Sequence, residues 1–148
     1  MKIILLTYLL IVSACTTAQK VKDPHQFVKE QAVIQTDLLF EKKDLNRDGV
    51  AELFLSPQEM CGTGGCPWYI FEKKEQEKYH VFLGEIFGGF NTLILVPNPK
   101  ATYSTLRIYH HMSADSGIVV DYEFKENQYE EVFSKEITNK EFQEFFPK

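Results

Sequence analysis

The chain has 148 residues, of which 44% are hydrophobic and 14% aromatic, and its formal net charge is −5. This length and apolar content are enough for one domain with its own core, without structural metals or several disulfides. The acidic balance, with no cluster of Lys or Arg side chains, excludes nucleic acid as an expected partner.

The first segment, residues 1–14, is a predicted signal peptide. Lys2 precedes an apolar run from Ile3 to Val12, and small residues follow before Cys15. This pattern is typical of a secretory leader. The run is shorter than the roughly 20 residues that a membrane-spanning helix needs. We therefore expect an exported protein without an integral membrane helix.

The end of the leader, VSAC, resembles the lipobox of bacterial lipoproteins, in which the cysteine is acylated and becomes the first residue of the mature chain. The resemblance covers only the leader. It implies lipidation of Cys15, and two or more acyl chains suffice for stable membrane attachment. In an envelope with two membranes, Thr16 implies sorting to the outer membrane, facing the periplasm. An ordinary signal peptide cleaved after Ala18 is the alternative.

The mature chain is expected to begin with a polar tether, residues 15–24, followed by a single β-rich domain, residues 25–148. A short helix and then a strand are predicted between Phe27 and Phe40. Runs of β-branched and aromatic residues between turn residues predict further strands. These strands are predicted at 51–56, 67–71, 79–86, 92–96, 106–110, 118–124 and 129–137.

The last segment changes to a helical period. Thr138 and Glu141 have the spacing of a capping box, and phenylalanines follow on one helical face. The predicted fold is therefore α+β and mainly β, an antiparallel β-meander with a short N-terminal helix and a C-terminal helix.

Oxygen-bearing side chains alternate along DLNRDGVAE, residues 44–52. The first three occupy loop positions one, three and five, and Gly49 follows at position six, where a calcium loop turns sharply. An all-oxygen set in a flexible loop favours calcium. The candidate metal ligands are Asp44, Asn46, Asp48, Val50 through its carbonyl oxygen, and Glu52.

This segment departs from an EF-hand, because Leu55 stands where that motif has a bidentate glutamate. It resembles the DxDxDGxxDL calcium turns of FG-GAP and related β-rich extracellular repeats, with Asn46 and Glu52 replacing two aspartates. The resemblance implies a loop that joins two strands. We expect weak calcium binding, with a Kd on the order of 10⁻⁴ to 10⁻³ M. A polar turn that binds no metal is the alternative.

Cys61 and Cys66 enclose the segment CGTGGC and predict a disulfide in an oxidising compartment. The glycines allow the positive φ angles that so short a ring demands. A redox site and a zinc site fit less well, because the spacing is longer than Cys-x-x-Cys and no matching pair of ligands is present. The disulfide is expected to fix the shape of the loop.

Trp68, Tyr69 and Tyr79 follow this loop and form a candidate binding surface for an envelope protein or a glycan. No catalytic residues are predicted, because no known hydrolase motif occurs and the neighbouring His110 and His111 would point to opposite faces of a strand. We expect a lipid-anchored cell-envelope protein that acts as a binding or inhibitor module, with calcium as a structural cofactor. The alternatives are a structural accessory lipoprotein and a metal-dependent hydrolase.

Overall fold

Two antiparallel β-sheets form most of the regular structure in the computed structural model, which describes residues 17–35, 37–74 and 76–147. The strands of the five-stranded sheet are β1 (Lys20–Val21), β2 (Leu38–Lys43), β3 (Glu52–Pro57), β4 (Cys66–Lys73) and β5 (His80–Gly88). Those of the four-stranded sheet are β6 (Ile94–Val96), β7 (Thr105–His111), β8 (Ser116–Lys125) and β9 (Gln128–Thr138).

The strand order is β1-β5-β4-β3-β2 in one sheet and β6-β7-β8-β9 in the other. Every pair of neighbours is antiparallel. From β2 to β5, and again from β6 to β9, each strand pairs with the next one along the chain. The predicted antiparallel meander is confirmed, and so is its division into short, closely spaced strands.

One hydrophobic core lies between the two sheets. Alternation along each strand directs every second side chain inward, and both sheets contribute to the same cluster. Burying one large apolar side chain of this kind stabilises the fold by about 1.5 to 3 kcal/mol. The side chains at the centre, all essentially inaccessible, are Phe54, Ile70, Leu83, Ile86, Leu106 and Ile108.

The N-terminal helix α1 (Pro24–Ala32) covers the outer face of the five-stranded sheet. Asp23 caps it, because its Oδ1 accepts hydrogen bonds from the backbone N–H groups of His25 (3.0 Å) and Gln26 (3.2 Å). Val28 of the helix packs against the sheet and is fully buried. The ring of Phe27 meets that of Phe71 edge-on, with centroids 5.7 Å apart. The predicted short N-terminal helix is confirmed.

The C-terminal helix α2 (Phe142–Phe145) covers the outer face of the four-stranded sheet, where Phe146 packs with Tyr109 and Ile137. The helix is shorter than the predicted one, because β9 continues to Thr138. Glu141 Oε2 accepts the Thr138 N–H (2.9 Å) and the Thr138 hydroxyl (3.0 Å). Only the carboxylate half of the predicted capping box therefore forms, and it closes the turn between strand and helix.

The predicted tether is wrong over part of its length. The backbone carbonyl of Gln19 accepts the Phe82 N–H at 3.0 Å, and β1 pairs with the start of β5. Val21 is 5% exposed and packs against the same outer-face cluster as α1. The chain is thus fixed to the sheet before the predicted domain start at His25. Cys15 and the predicted signal peptide lie outside the described residues.

The edge strands are β1 and β2 in the five-stranded sheet and β6 and β9 in the four-stranded sheet. β9 has 11 residues and is exposed to solvent from 130 to 136. A register shift between Asp121 and Tyr122 of β8 interrupts its pairing with β9. Such a bulge twists an edge strand locally.

Candidate functional site

The acidic loop, residues 44–51, joins β2 to β3 and is held by its own side chains. Asp44 Oδ1 accepts the Arg47 N–H at 2.7 Å, and Asp44 Oδ2 accepts the Gly49 N–H at 2.9 Å. Arg47 and Gly49 both have positive φ angles, 62° and 87°. The Asp44 carboxylate thus closes a tight turn. The positive φ angle at Gly49 has no steric cost, because glycine lacks a Cβ atom.

Asn46 and Asp48 continue this pattern. Asn46 Oδ1 accepts the Asp48 N–H at 3.1 Å, and the Asn46 amide donates to Asp48 Oδ2 at 2.9 Å. Asp48 Oδ1 accepts the Val50 N–H at 2.7 Å. The candidate ligand side chains therefore converge on one short loop, and each of them already hydrogen-bonds to backbone.

Glu52, at the first position of β3, is the most buried of the candidate ligands, with 1% of its surface exposed. Its Oε2 accepts the N–H of the fully buried Leu45 at 2.7 Å. Burial raises the pKa of Glu52 to about 7, and the nearby charges of Asp48 and Glu72 add to this effect, whereas the Leu45 hydrogen bond opposes it. Ionised Glu52 is therefore costly in this fold unless a cation lies near it.

An open cleft of about 370 Å³ runs beside these carboxylates, between Asp48, Val50 and Glu52 on one side and Glu72 with Lys73 and Lys74 on the other. Lys74 forms an ion pair with Glu72. The phenol of Tyr103 hydrogen-bonds to Glu72, and burial, followed by the charge of Glu72, raises the pKa of Tyr103. The predicted strand 67–71 ended one residue before Glu72, so the sequence analysis did not include Glu72 in the site. Glu72 lies two residues after the inward-facing Ile70 on the same strand, and this spacing predicts that Glu72 also faces inward.

The donor chemistry of the loop fits calcium, because all candidate ligands are oxygens of carboxylates, an amide or the backbone. Across the ranges that the structure describes, no three His, Cys, Asp or Glu side chains are grouped closely enough to hold a metal ion. A cation in this loop would therefore have to compete for oxygens that accept backbone hydrogen bonds.

The predicted disulfide between Cys61 and Cys66 is confirmed, with Cα atoms 4.3 Å apart. Within the ring, Gly62 and Gly65 exchange backbone hydrogen bonds of 2.9 and 3.1 Å. Gly65 has a φ of 129°, and a Cβ there would lie 2.3 Å from the carbonyl carbon of Gly88. Only glycine fits this position, so the loop is pressed tightly onto the end of β5.

Three exposed apolar side chains belong to the segments that adjoin this disulfide loop. A Cβ at Gly64 would lie 3.1 Å from the carbonyl oxygen of His111 and 3.9 Å from the Phe87 ring, so the loop borders both β5 and β7. Met60 directly precedes the ring, and Met112 follows His111. The exposed fractions are 47% for Met60, 38% for Phe87 and 59% for Met112. We call these three side chains the disulfide-end patch.

The predicted aromatic binding surface is wrong for Trp68 and Tyr69, which are 4% and 7% exposed. β4 is a central strand whose inner face meets the core and whose outer face lies in the cluster beneath α1, so neither face is open. Trp68 Nε1 donates to the Gly88 carbonyl at 3.2 Å. Tyr79 is partly exposed and lies under the ammonium group of Lys20, 4.5 Å from its ring centroid.

His110 and His111 do point in different directions, as their adjacent positions on β7 predict. His111 is exposed, whereas both ring nitrogens of His110 are buried without a hydrogen-bond partner among the described residues. Burial lowers the pKa of His110, and its ring meets that of Phe87 with centroids 5.4 Å apart. The two histidine rings therefore lie in different environments.

The acidic loop and the disulfide loop lie at opposite ends of β3. The acidic loop directly precedes Glu52, the first residue of β3, and the disulfide loop follows Pro57, its last residue. A strand of this length separates them by roughly 20 Å. The two loops therefore constrain opposite ends of one strand.

Comparison of the chain with models of protein families, with curated proteins and with solved structures found no match. Among the residues that the structure describes, no helix has the length and apolar character needed to cross a membrane.

Proposed function

We propose that this protein is a lipid-anchored cell-envelope module that binds a protein partner through the disulfide-end patch. The observation that carries the proposal is the exposure of Met60, Phe87 and Met112 around a loop held by a disulfide and by Gly65. Exposed apolar side chains on a rigid frame favour association, because little conformational freedom is lost on binding.

A protein partner is favoured over a glycan. The aromatic residues expected to stack on sugars, Trp68 and Tyr69, are in the core. The patch is formed by two methionines and one phenylalanine, and flexible methionines adapt to apolar protein surfaces. A role as inhibitor of an envelope enzyme is one form that such binding would take.

Attachment to the membrane is supported by the leader, residues 1–14, and by the VSAC sequence that ends at Cys15. Acylation of Cys15 would hold the protein in the envelope, at the outer membrane facing the periplasm where two membranes are present. A Cys15→Ser variant should be released into the soluble fraction. Membrane fractionation equal to that of the native protein would contradict the anchor.

Calcium at the acidic loop is the second part of the proposal, and the burial of Glu52 beside Asp48 and Glu72 supports it. With a Kd of 10⁻⁴ to 10⁻³ M, about 10 mM calcium should raise the free energy of unfolding by roughly 1.4 to 2.7 kcal/mol. Thermal melts with calcium and with a chelator measure this shift. Asp44→Ala should abolish it and Asp115→Ala, at an exposed aspartate elsewhere, should not; identical melts with calcium and chelator would contradict calcium binding.

The partner is tested by capture from envelope extract. Phe87→Ser should lose a captured protein that the native chain retains. Phe40→Ser is the matched control, because Phe40 is 66% exposed on β2, away from the disulfide loop. Equal capture by both variants would contradict the patch. If the native chain enriches no protein, the structural accessory role is favoured. If it enriches a glycan, the partner is a glycan and not a protein.

A metal-dependent hydrolase is a second candidate, favoured by one observation. Glu52, with its pKa raised to about 7, and Glu72, paired with Lys74, line the same open cleft. Two carboxyl groups in different environments are the arrangement that acid–base hydrolysis uses. Hydrolysis of envelope polymers that is lost in Glu52→Gln and Glu72→Gln would support this function. Equal rates in the native and variant proteins would exclude these carboxylates as its source.

A further inference from the structure

The N-terminal part of the described chain is fixed to the fold almost as soon as it begins. The Gln19 carbonyl accepts the Phe82 N–H at 3.0 Å, Lys20 and Val21 pair with Val81 and His80, and Val21 is buried. Among the described residues, which begin at Thr17, Gln19 is therefore the first whose backbone is hydrogen-bonded to the sheet.

Covalent geometry then limits how far the domain can lie from an acylated cysteine. Four peptide links join Cys15 to Gln19, and no conformation of them spans more than about 14 Å. This bound holds whatever conformation residues 15 and 16 adopt. A tether of residues 15–24, as the sequence alone suggested, would have allowed more than twice that reach.

The first described residues lie in a cleft on one side of the fold. Thr17, Ala18 and Gln19 line one wall of it, and the other wall is formed by Phe82 of β5 together with Glu126, Gln128 and Glu130 at the turn between β8 and β9. We call the exposed rim of this cleft the exit rim, and we include in it Lys20, which directly follows Gln19 in the chain, and Lys125, which directly precedes Glu126.

We propose that the exit rim rests on the headgroups of the membrane that holds the lipid, so that the domain lies against the bilayer instead of projecting from it. The inference rests on the proposed acylation of Cys15. The partner is a lipid surface, and the argument for it is the length of chain between the acyl group and the first fixed residue.

Charge does not supply this contact. The exit rim carries both signs, Lys20 and Lys125 against Glu126 and Glu130, and Lys125 is already 3.7 Å from Glu123. A surface of mixed sign has little net attraction for anionic headgroups. The short covalent link is what holds the rim in place, and the contact should therefore persist at high salt.

Lysine labelling tests the orientation with the chain's own side chains. The acylated protein is reconstituted in phosphatidylethanolamine and phosphatidylglycerol vesicles and treated with an amine-reactive reagent, and each lysine is quantified by mass spectrometry. Labelling of Lys20 and Lys125 should fall severalfold relative to the soluble Cys15→Ser variant. Lys42, exposed on β2 at the opposite edge of the sheet, is the internal control and should not change.

A longer link provides the decisive variant. A Gly/Ser insert of about 20 residues between Thr16 and Thr17 has a mean end-to-end distance of roughly 25 Å. It should restore labelling of Lys20 and Lys125, at low and at high salt, without shifting the melting temperature. Unchanged protection in the insert variant, or no protection in the native protein, would overturn the proposal.

Vesicle flotation distinguishes the two proposals. If the native protein floats, Cys15→Ser does not, and Lys20 is labelled equally in both, the anchor stands and the membrane-facing rim is wrong. If Cys15→Ser floats as well as the native protein, the anchor itself is wrong, and the orientation proposal is overturned with it.

Discussion

The two ends of β3 are constrained by different chemistry. At the acidic end, Asp44, Asp48 and Glu52 hold the backbone with hydrogen bonds, and the buried Glu52 is close to two other carboxylates. At the disulfide end, a covalent bond and the contact of Gly65 with Gly88 fix the loop. The first end should respond to pH and cations, and the second to redox state and steric change. Four predictions test this contrast.

The largest effect is expected at Gly65. Gly65→Ala should lower the free energy of unfolding by about 4 kcal/mol, since it combines an unfavourable φ with overlap against a backbone. Gly62→Ala is the matched control in the same ring, because a Cβ there has no atom within 4 Å, and it should change stability by less than about 0.5 kcal/mol. Chemical denaturation measures both. Similar losses in the two variants would contradict the close contact.

The next effect is the pH dependence of the acidic end. The pKa of Glu52 is raised in the fold to about 7, from roughly 4.3 when unfolded. Between these values the folded state binds more protons, so stability falls as pH rises and is lowest above pH 7. Glu52→Gln lacks this loss. With chelator present, the free energy of unfolding of Glu52→Gln relative to that of the native protein should therefore rise by about 3 kcal/mol from pH 4 to pH 8.

Denaturation at a series of pH values measures this difference. Glu59→Gln, at an exposed glutamate of the 3₁₀ turn Gln58–Met60, is the control for the substitution itself. A difference between Glu52→Gln and the native protein that stays constant with pH would show that Glu52 does not titrate in this range.

Loss of the disulfide should have a smaller effect. The ring of residues 61–66 is short, and the chain-entropy relation gives about 2 kcal/mol for it. The double variant Cys61→Ser/Cys66→Ser should lose this amount at every pH. The native protein in reducing agent serves as a second measurement of the same loss. A loss that varies with pH would link the disulfide end to the acidic end.

The smallest expected quantity is the coupling between the two ends. Sites separated by roughly 20 Å with no shared partners are usually additive within about 0.5 kcal/mol. Combining Glu52→Gln with Cys61→Ser/Cys66→Ser should therefore give the sum of the separate changes. A coupling of more than about 1 kcal/mol in the double-mutant cycle would mean that β3 transmits strain between its ends.

Much of the fold followed from local patterns. The strand positions were predicted because β-branched and aromatic runs alternate with turn residues, and the short helix at each end was expected. β1 was not predicted, since two residues have no detectable period and their pairing with β5 depends on the assembled sheet. The sequence Asp23-Pro24 is a helix start that was assigned to the tether.

The site was less predictable, because burial depends on neighbours that are distant in the sequence. Trp68 and Tyr69 were assigned to a surface, but a central strand covered on both faces leaves neither exposed. Phe87 was missed because the predicted strand ended one residue earlier. The disulfide needed only the spacing of two cysteines, whereas the proximity of Glu72 to Glu52 needed the pairing of β3 with β4.

The exposed edge strand β9 has a consequence for how copies of the protein coexist. The free edge of a long strand, here the side of β9 away from β8, is a template for another strand. Here Glu130, Glu131 and Glu136 are exposed along it, and the bulge opposite Asp121 and Tyr122 distorts its line of hydrogen-bonding groups. Because these glutamates outnumber the single lysine of β9, Lys135, two copies meeting edge to edge would bring an excess of like charge together, which disfavours sheet-to-sheet aggregation. That protection matters most for molecules crowded on a surface, where collisions occur in two dimensions.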